Sequence, residues 1–188
     1  MKIFITLIAL MVIQACSHTN EMEKIPMAEN VDLNKFMGDW YVIANIPTFI
    51  EEGAHNAIEN YAMNDDGTIA TTFSFNSNGF DGELKVYEPT GFVTEISNSL
   101  WGMQFIWPFK AEFIIAYLSP DYQQTIIARN ARDYVWIMAR TPELSETSLN
   151  KLIKLTIDMG YDAEQIKLIP HKHDLADDAL NAGLRMMK

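Results

Sequence analysis

Asp32-Leu33-Asn34-Lys35-Phe36-Met37-Gly38-Asp39-Trp40-Tyr41 is the stretch on which the reading of the fold turns. It sets Gly38 and Trp40 at the head of Trp40–Ile46, the first of a series of short apolar runs rich in β-branched and aromatic residues. The second run, Ala57–Met63, ends at the hairpin signal Asn64-Asp65-Asp66-Gly67. The third, Thr68–Phe75, is closed by Asn76-Ser77-Asn78-Gly79, and the fourth, Glu83–Tyr87, is followed by Glu88-Pro89-Thr90-Gly91. Leu100–Trp107 precedes Pro108, Glu112–Leu118 precedes Ser119-Pro120-Asp121, and Tyr122–Arg129 and Tyr134–Arg140 complete the set. Runs of this length and spacing predict an all-β sandwich or barrel. Sequential strands joined mostly by hairpins can close up-and-down into a barrel, which removes every exposed edge.

One amphipathic helix follows. Ser145 is its predicted N-cap, Glu146 lies in the first turn, and Leu144 and Leu149 are spaced as a hydrophobic staple. Leu149, Leu152, Ile153 and Ile157 share the expected buried face, and Gly160 is a natural stop. Gln165–Ile169 reads as one more short strand, and residues 171–188 as a mixed, charged tail.

Three segments together resemble the lipocalin family. They are the Gly38-x-Trp40 segment above, the turn Ser119-Pro120-Asp121-Tyr122, and Tyr134-Val135-Trp136-Ile137-Met138-Ala139-Arg140-Thr141-Pro142. The run Gly38–Ala44 and the ending Trp136…Arg140-Thr141-Pro142 are similar to bacterial outer-membrane lipoprotein lipocalins, over about residues 32–170. The resemblance implies an all-β, eight-stranded up-and-down antiparallel barrel, with one C-terminal α-helix packed outside and a short ninth strand. If strand one runs from the closed end to the mouth, strand eight runs back. Trp40, the turn at Asp121-Tyr122 and Arg140 then meet at the closed end. The family's Arg stacks on its Trp, so Gly38, Trp40, Asp121, Tyr122 and Arg140 are expected to be structural, the cation–π contact contributing up to about 2 kcal/mol.

The first residues read as a targeting segment. Lys2 precedes an apolar run, Ile3–Ile13, too short to span a bilayer, which needs about 20 apolar residues. Ala15-Cys16 resembles a bacterial lipobox, which implies a signal peptide over residues 1–15 and acylation of Cys16, the only cysteine. Residues 16–31 then form a lipidated, flexible spacer. Ser17 after the cysteine implies sorting to the outer membrane, with the domain facing the periplasm or the surface. The formal net charge of −11 repels nucleic-acid phosphates and disfavours attachment to anionic lipid by charge alone.

Side chains alternate between lumen and exterior along each barrel strand. Because Arg140 must reach Trp40, the phase of Tyr134, Trp136, Met138 and Arg140 is inward. The matching choices are Ala57, Glu59, Tyr61 and Met63; Ile69, Thr71, Phe73 and Phe75; Trp101, Met103 and Phe105; and Phe113, Ile115 and Tyr117. The expected ligand contacts are Tyr61, Phe73, Phe75, Met103, Phe105, Phe113, Ile115, Tyr117, Tyr134, Trp136 and Met138. Pro47–Asn56, with Phe49, Ile50, Glu51, Glu52 and His55, reads as a lid over the mouth. Lys110 and Arg132, at other mouth turns, are candidates to pair with a phosphate or carboxylate head group, and Arg129 lies near the rim. The implied ligand is a fatty acid or lysophospholipid, bound, stored or carried in membrane biogenesis or repair.

No Gly-x-Ser-x-Gly, HExxH, CxxC or glycine-rich phosphate loop occurs, no cofactor is implied, and the expectation is a binding protein rather than an enzyme. The pattern His171-x-His173-Asp174 could hold a metal only weakly in a polar tail, so no metal site is assigned. Glu59, if inward, is an unusual buried carboxylate that could bond a ligand or take a raised pKa. Two alternatives stand beside the lipid-binding reading: an enzyme acting on a bound hydrophobe, and a structural protein whose barrel is filled by its own side chains. The oligomeric state is not legible in the sequence.

Overall fold

The computed structural model describes residues 22–172. In chain order they form α1 (Leu33–Phe36), β1 (Gly38–Ile46), β2 (Ala54–Met63), β3 (Ile69–Ser77), β4 (Leu84–Tyr87), β5 (Thr90–Val93), β6 (Leu100–Ile106), β7 (Phe109–Leu118), β8 (Gln124–Ala128), β9 (Val135–Ala139), α2 (Glu146–Asp158) and β10 (Lys167–Leu168). All pairings are antiparallel; they join sequential neighbours except that β3 also pairs β5, β10 adds to β1, and β1 pairs β9 to close the ring. With β4 and β5 as one interrupted strand, this is a closed eight-stranded barrel with one C-terminal helix and β10 outside it.

The fourth strand corrects one expectation. Glu88-Pro89-Thr90-Gly91 is not a turn: β4 pairs the far half of β3 and β5 the near half, so the chain runs straight through Pro89. Proline has no N–H to donate but keeps its carbonyl, and Thr71 N donates to Pro89 O at 3.2 Å. Gly91 is needed here, because a Cβ would lie 3.2 Å from Ile69 Cβ and 3.3 Å from the Trp101 ring. The seventh strand starts later than expected, at Gln124, since Tyr122 takes φ +58° in the preceding turn.

The helix expectation holds at its start and shifts on its face. Ser145 caps α2 by accepting from Ser148 N at 3.2 Å. Leu152 and Thr156, one turn apart, are the fully buried positions, and Ile157 is instead exposed. Leu152 packs against an outer-wall cluster of Ile114, Ala116, Ile126, Ala128, Val135 and Ile137. Burying a leucine fully contributes about 2 kcal/mol. β10 adds to the mouth half of β1, pairing Ala44 with Leu168.

Residues 17–31, expected to be a flexible spacer, are corrected over their described part. Arg132 Nη2 donates to Glu23 O at 2.5 Å, Ile25 N to Asn130 Oδ1 at 2.8 Å, and Ala28 N to Ile115 O at 2.8 Å. Ile25 and Val31 are buried. The segment is a strap that starts at the β8–β9 turn, at the mouth, and runs down the wall to the closed end. Asn98 Nδ2 donates to Val31 O there, and Asp32 N donates to the Tyr122 hydroxyl at 2.9 Å.

At the closed end the three quoted motifs meet. Arg140 lies 3.8 Å from the Trp40 ring centre. Its Nη2 donates to Lys35 O, Phe36 O and Met37 O, each at 2.9 Å, its Nη1 to Asp39 O at 2.6 Å, and its Nε to Tyr122 O at 3.3 Å. Trp40 Nε1 donates to Phe36 O at 2.8 Å. Gly38, at φ +92°, lets the chain leave α1 and enter β1 beneath the guanidinium. Asp121 accepts from Ser119 Oγ and Gln123 N, which hold its carboxyl below the usual range.

Arg140→Ala removes the ring contact and leaves a row of carbonyls short of a donor, so it is expected to lower stability by about 3 kcal/mol in urea unfolding. Arg140→Lys should recover only a minor part, because an ammonium cannot stack and reach the same carbonyls at once.

Candidate functional site

The lower half of the barrel is solid. Phe36 rises from α1 into the floor, 5.1 Å from Trp40, 5.5 Å from Tyr61 and 5.6 Å from Trp101 between ring centres. Trp101 stacks on Phe113 at 4.8 Å, with Tyr61 edge-on to both. Offset and edge-to-face pairs of this kind each add about 0.5–1.5 kcal/mol beyond simple burial. Above this floor lies a cavity of about 430 Å³ that opens at the mouth. That volume is within the roughly 300–1,000 Å³ of small-ligand sites.

The cavity wall includes Phe73, Met103, Phe105, Phe113, Tyr134 and Trp136, all expected ligand contacts. Tyr61, Phe75, Ile115 and Met138 belong to the inner cluster as expected but are buried in its packing rather than in the cavity wall, a correction to their expected role. Tyr117 is also corrected. The register of β7 shifts between Ile115 and Tyr117, a bulge that turns the side chain outward. Its ring packs with the outer cluster and its hydroxyl accepts from Lys151 Nζ at 3.2 Å.

Both head-group candidates are misplaced. Lys110 is in β7 rather than in a turn, and its Nζ lies 3.3 Å from the centre of the Phe92 ring. Lys110 is not among the residues that line the cavity. Arg132 holds the outside of the molecule together: besides Glu23 O, its Nε donates to Met159 O at 2.7 Å and its Nη1 to Asn130 O at 2.9 Å. The cation in the cavity wall is Arg129. Its Nη1 pairs with Asp133 at 2.9 Å and its plane lies 5.4 Å from the Tyr134 ring. Its buried Nε has no hydrogen-bond partner, and neither has the buried Oγ1 of Thr48, also in the wall.

Three carboxylates also line the cavity, Glu51, Glu59 and Glu112, the last accepting from Asn130 N and Nδ2 at 2.7 Å each. The lid loop after β1 folds Glu51 inward, where it is 3 % exposed. Asn45 Nδ2 donates to it at 2.9 Å and Trp136 Nε1 at 3.2 Å. Burial pushes its pKa up, against the opposing effect of the Thr48 N–H, at 3.4 Å, and of these donors. Phe49, two residues before it, is 87 % exposed. Glu59, on β2, accepts from the Tyr61 hydroxyl. Loss of water raises its pKa to about 7, with a smaller push from the charge of Glu51, and burial raises the Tyr61 phenol well above its ordinary value. The inward placement of Glu59 follows from strand phase; that of Glu51 does not, because a loop carries no alternation. Tyr87 and Pro89 in the wall were unassigned because the fourth run has no apolar phase.

Of the tail pattern, His171 is described, with its Nε2 2.9 Å from Val42 O and its ring edge-on to Tyr41. His173 and Asp174 lie outside the described residues, as does Cys16.

Comparison with known proteins agrees with this architecture. The family with the description Lipocalin-like domain matches residues 31–171. The chain is 27% identical over 157 residues to temperature-induced lipocalin-1 of Arabidopsis thaliana, covering 80% of this chain and 84% of that protein. It is 23% identical over 162 residues to the outer membrane lipoprotein Blc of Citrobacter freundii, covering 84% and 89%. Among solved structures, insecticyanin from the tobacco hornworm Manduca sexta superposes with a TM-score of 0.63 at 15% identity, covering 80% and 86%. The strand order, the closed-end clamp and the match over most of its length show that this chain belongs to the lipocalin-like family.

Proposed function

We propose that this protein is a lipid-anchored lipocalin of the bacterial outer membrane that binds and carries a single-chain amphiphile, a fatty acid or a lysophospholipid. The observation that carries the reading is the cavity of about 430 Å³ above a closed aromatic floor, lined mainly by apolar side chains with Arg129 and Thr48 among its few polar groups. An acyl chain enters it tail-first, past Phe105 and Met103 toward Phe113. Burying about a dozen methylenes would contribute on the order of 10 kcal/mol before the costs of association.

The head group then sits at the mouth. The unpartnered Arg129 Nε and Thr48 Oγ1 are the groups in the wall that lack a bond, and an anionic oxygen would supply it. Glu59 in the lumen argues against the opposite orientation, since an anionic head would face it and Glu51 in a dry cavity. Binding rather than catalysis is supported by the engagement of each acid in the wall with a neighbour: Glu51 with Asn45 and Trp136, Glu59 with Tyr61, and Glu112 with Asn130.

Acylation of Cys16 supplies the anchor. No helix among the described residues is long and apolar enough to cross a membrane. Attachment would therefore rest on the acyl groups, at about 0.8 kcal/mol per buried CH₂. The similarity to an outer membrane lipoprotein supports this placement.

Lipids extracted from natively purified protein and identified by mass spectrometry should include a single-chain amphiphile; an empty extract would sink the reading. Fatty-acid affinity should fall about tenfold in Arg129→Ala and stay unchanged in Lys110→Ala. Radiolabelled palmitate should enter the wild type and not Cys16→Ser.

Glu59 also predicts a pH dependence. Its pKa is raised from 4.5 to about 7 on folding, so the folded protein holds a proton that the unfolded chain has lost. The contribution of Glu59 to stability is therefore complete below pH 4.5 and is lost as pH rises through about 7. Urea midpoints measured across that range should fall for the wild type and flatten in Glu59→Gln.

A further inference from the structure

The mouth of the barrel is unusually apolar on its outside as well as within. Phe49 is 87 % exposed, Trp107 81 %, Phe109 76 % and Ile106 73 %. Among the described residues only Ile96, at the closed end, is comparably bare. Phe49 comes from the β1–β2 loop, Trp107 from the β6–β7 turn, and Ile106 and Phe109 are the paired strand ends on either side of that turn. In the strand order these connections stand on different sides of the ring, so the apolar groups flank the entrance rather than cluster beside it. Phe49 and Ile106 are at once exposed and part of the cavity wall. A soluble surface does not keep such groups bare without a use. Tryptophan and phenylalanine around an opening match the water–lipid boundary, where an amphipathic ring is most stable.

The strap says which surface meets this rim. Glu23 and Ile25 are tied to Arg132 and Asn130 in the β8–β9 turn, so the chain toward Cys16 leaves from the mouth end. Six Cα-to-Cα steps separate Cys16 from Met22, which reach at most about 20 Å. The ten-residue strands β2 and β7 have a contour of about 33 Å. An anchor of that reach holds the mouth, and not the closed end, against the membrane. The net charge of −11 directs the contact to zwitterionic rather than anionic lipid.

We propose that Phe49, Ile106, Trp107 and Phe109 form a membrane-docking rim that seats the barrel mouth-down on a zwitterionic phospholipid surface, so that an amphiphile passes between bilayer and cavity without crossing water. The inference rests on the ligand-carrying reading above for its purpose, but its geometry is tested separately.

The acylated full chain is reconstituted on phosphatidylcholine vesicles whose acyl chains carry bromine near the head group. Bromine should quench the wild-type tryptophan emission, and Trp107→Phe should lose most of that quenching. Equal quenching in both overturns the rim. The Cys16→Ser chain, which lacks the anchor, should still associate with unlabelled vesicles, at least about tenfold less in Trp107→Ser/Phe109→Ser. Unchanged association, or a solution dimer that the same pair of substitutions dissociates, would also overturn it, the rim in the latter case covering a second copy. Fatty-acid affinity in solution should stay within twofold in the double variant, since neither residue lines the cavity. A protein that docks but holds no amphiphile would therefore sink the ligand reading and leave the rim standing.

Discussion

Everything above the floor of this barrel depends on the guanidinium of Arg140. A closed sheet of eight strands has no edges, but it has two open ends, and each would admit water to an apolar lumen. One end is shut here by driving Phe36 up between Trp40, Tyr61 and Trp101. The short helix that carries Phe36 is too brief to be stable alone. Arg140 takes up its terminal carbonyls and the carbonyl of Tyr122 while stacking on Trp40. A single cation thus ties the first strand, the β7–β8 turn and the last barrel strand into one plug. Charge-assisted bonds to backbone make this contact costly to leave half-made.

The plug divides the lumen. Below, aromatic rings pack against one another; above, a cavity remains. The barrel is thereby both of the things an eight-stranded ring can be, filled at one end and hollow at the other. The β7 bulge helps set the division, turning Tyr117 out to meet α2 while Leu118 returns to the inner cluster. Polar groups in the upper half are few, and most are held: Glu51 by Asn45 and Trp136, Glu59 by Tyr61. Arg129 Nε and Thr48 Oγ1 are not, and both lie where a head group would come to rest.

The N-terminal strap links this interior to its surroundings. By running from the β8–β9 turn down to the closed end, it contributes Ile25 and Val31 to packing. Its upper end sets where the preceding chain departs. Arg132, which looked from the sequence like a ligand contact, instead pins that departure point to the C-terminal end of α2. The same residue type at the same turn serves architecture because its donors find backbone carbonyls before they find the lumen.

The sequence by itself determined the class of fold, the order of strands, the capped helix and the residues of the closed-end clamp. The clamp is implied by the resemblance of three short motifs to lipocalins; the other properties are carried by local composition, by period-two alternation and by turn and capping signals that lie close together in the chain. Alternation also placed Glu59, Phe73, Met103 and Trp136 inward, because a strand's phase is a local property. What only the tertiary structure decided was wherever alternation breaks or never existed: the run through Pro89, the bulge that turned Tyr117, the inward fold of Glu51, and the choice of Arg129 over Lys110 and Arg132. The boundary between filled floor and open cavity belongs with these. It depends on how far Phe36 rises and which rings it meets, and those distances arise only when strands remote in sequence close into one ring.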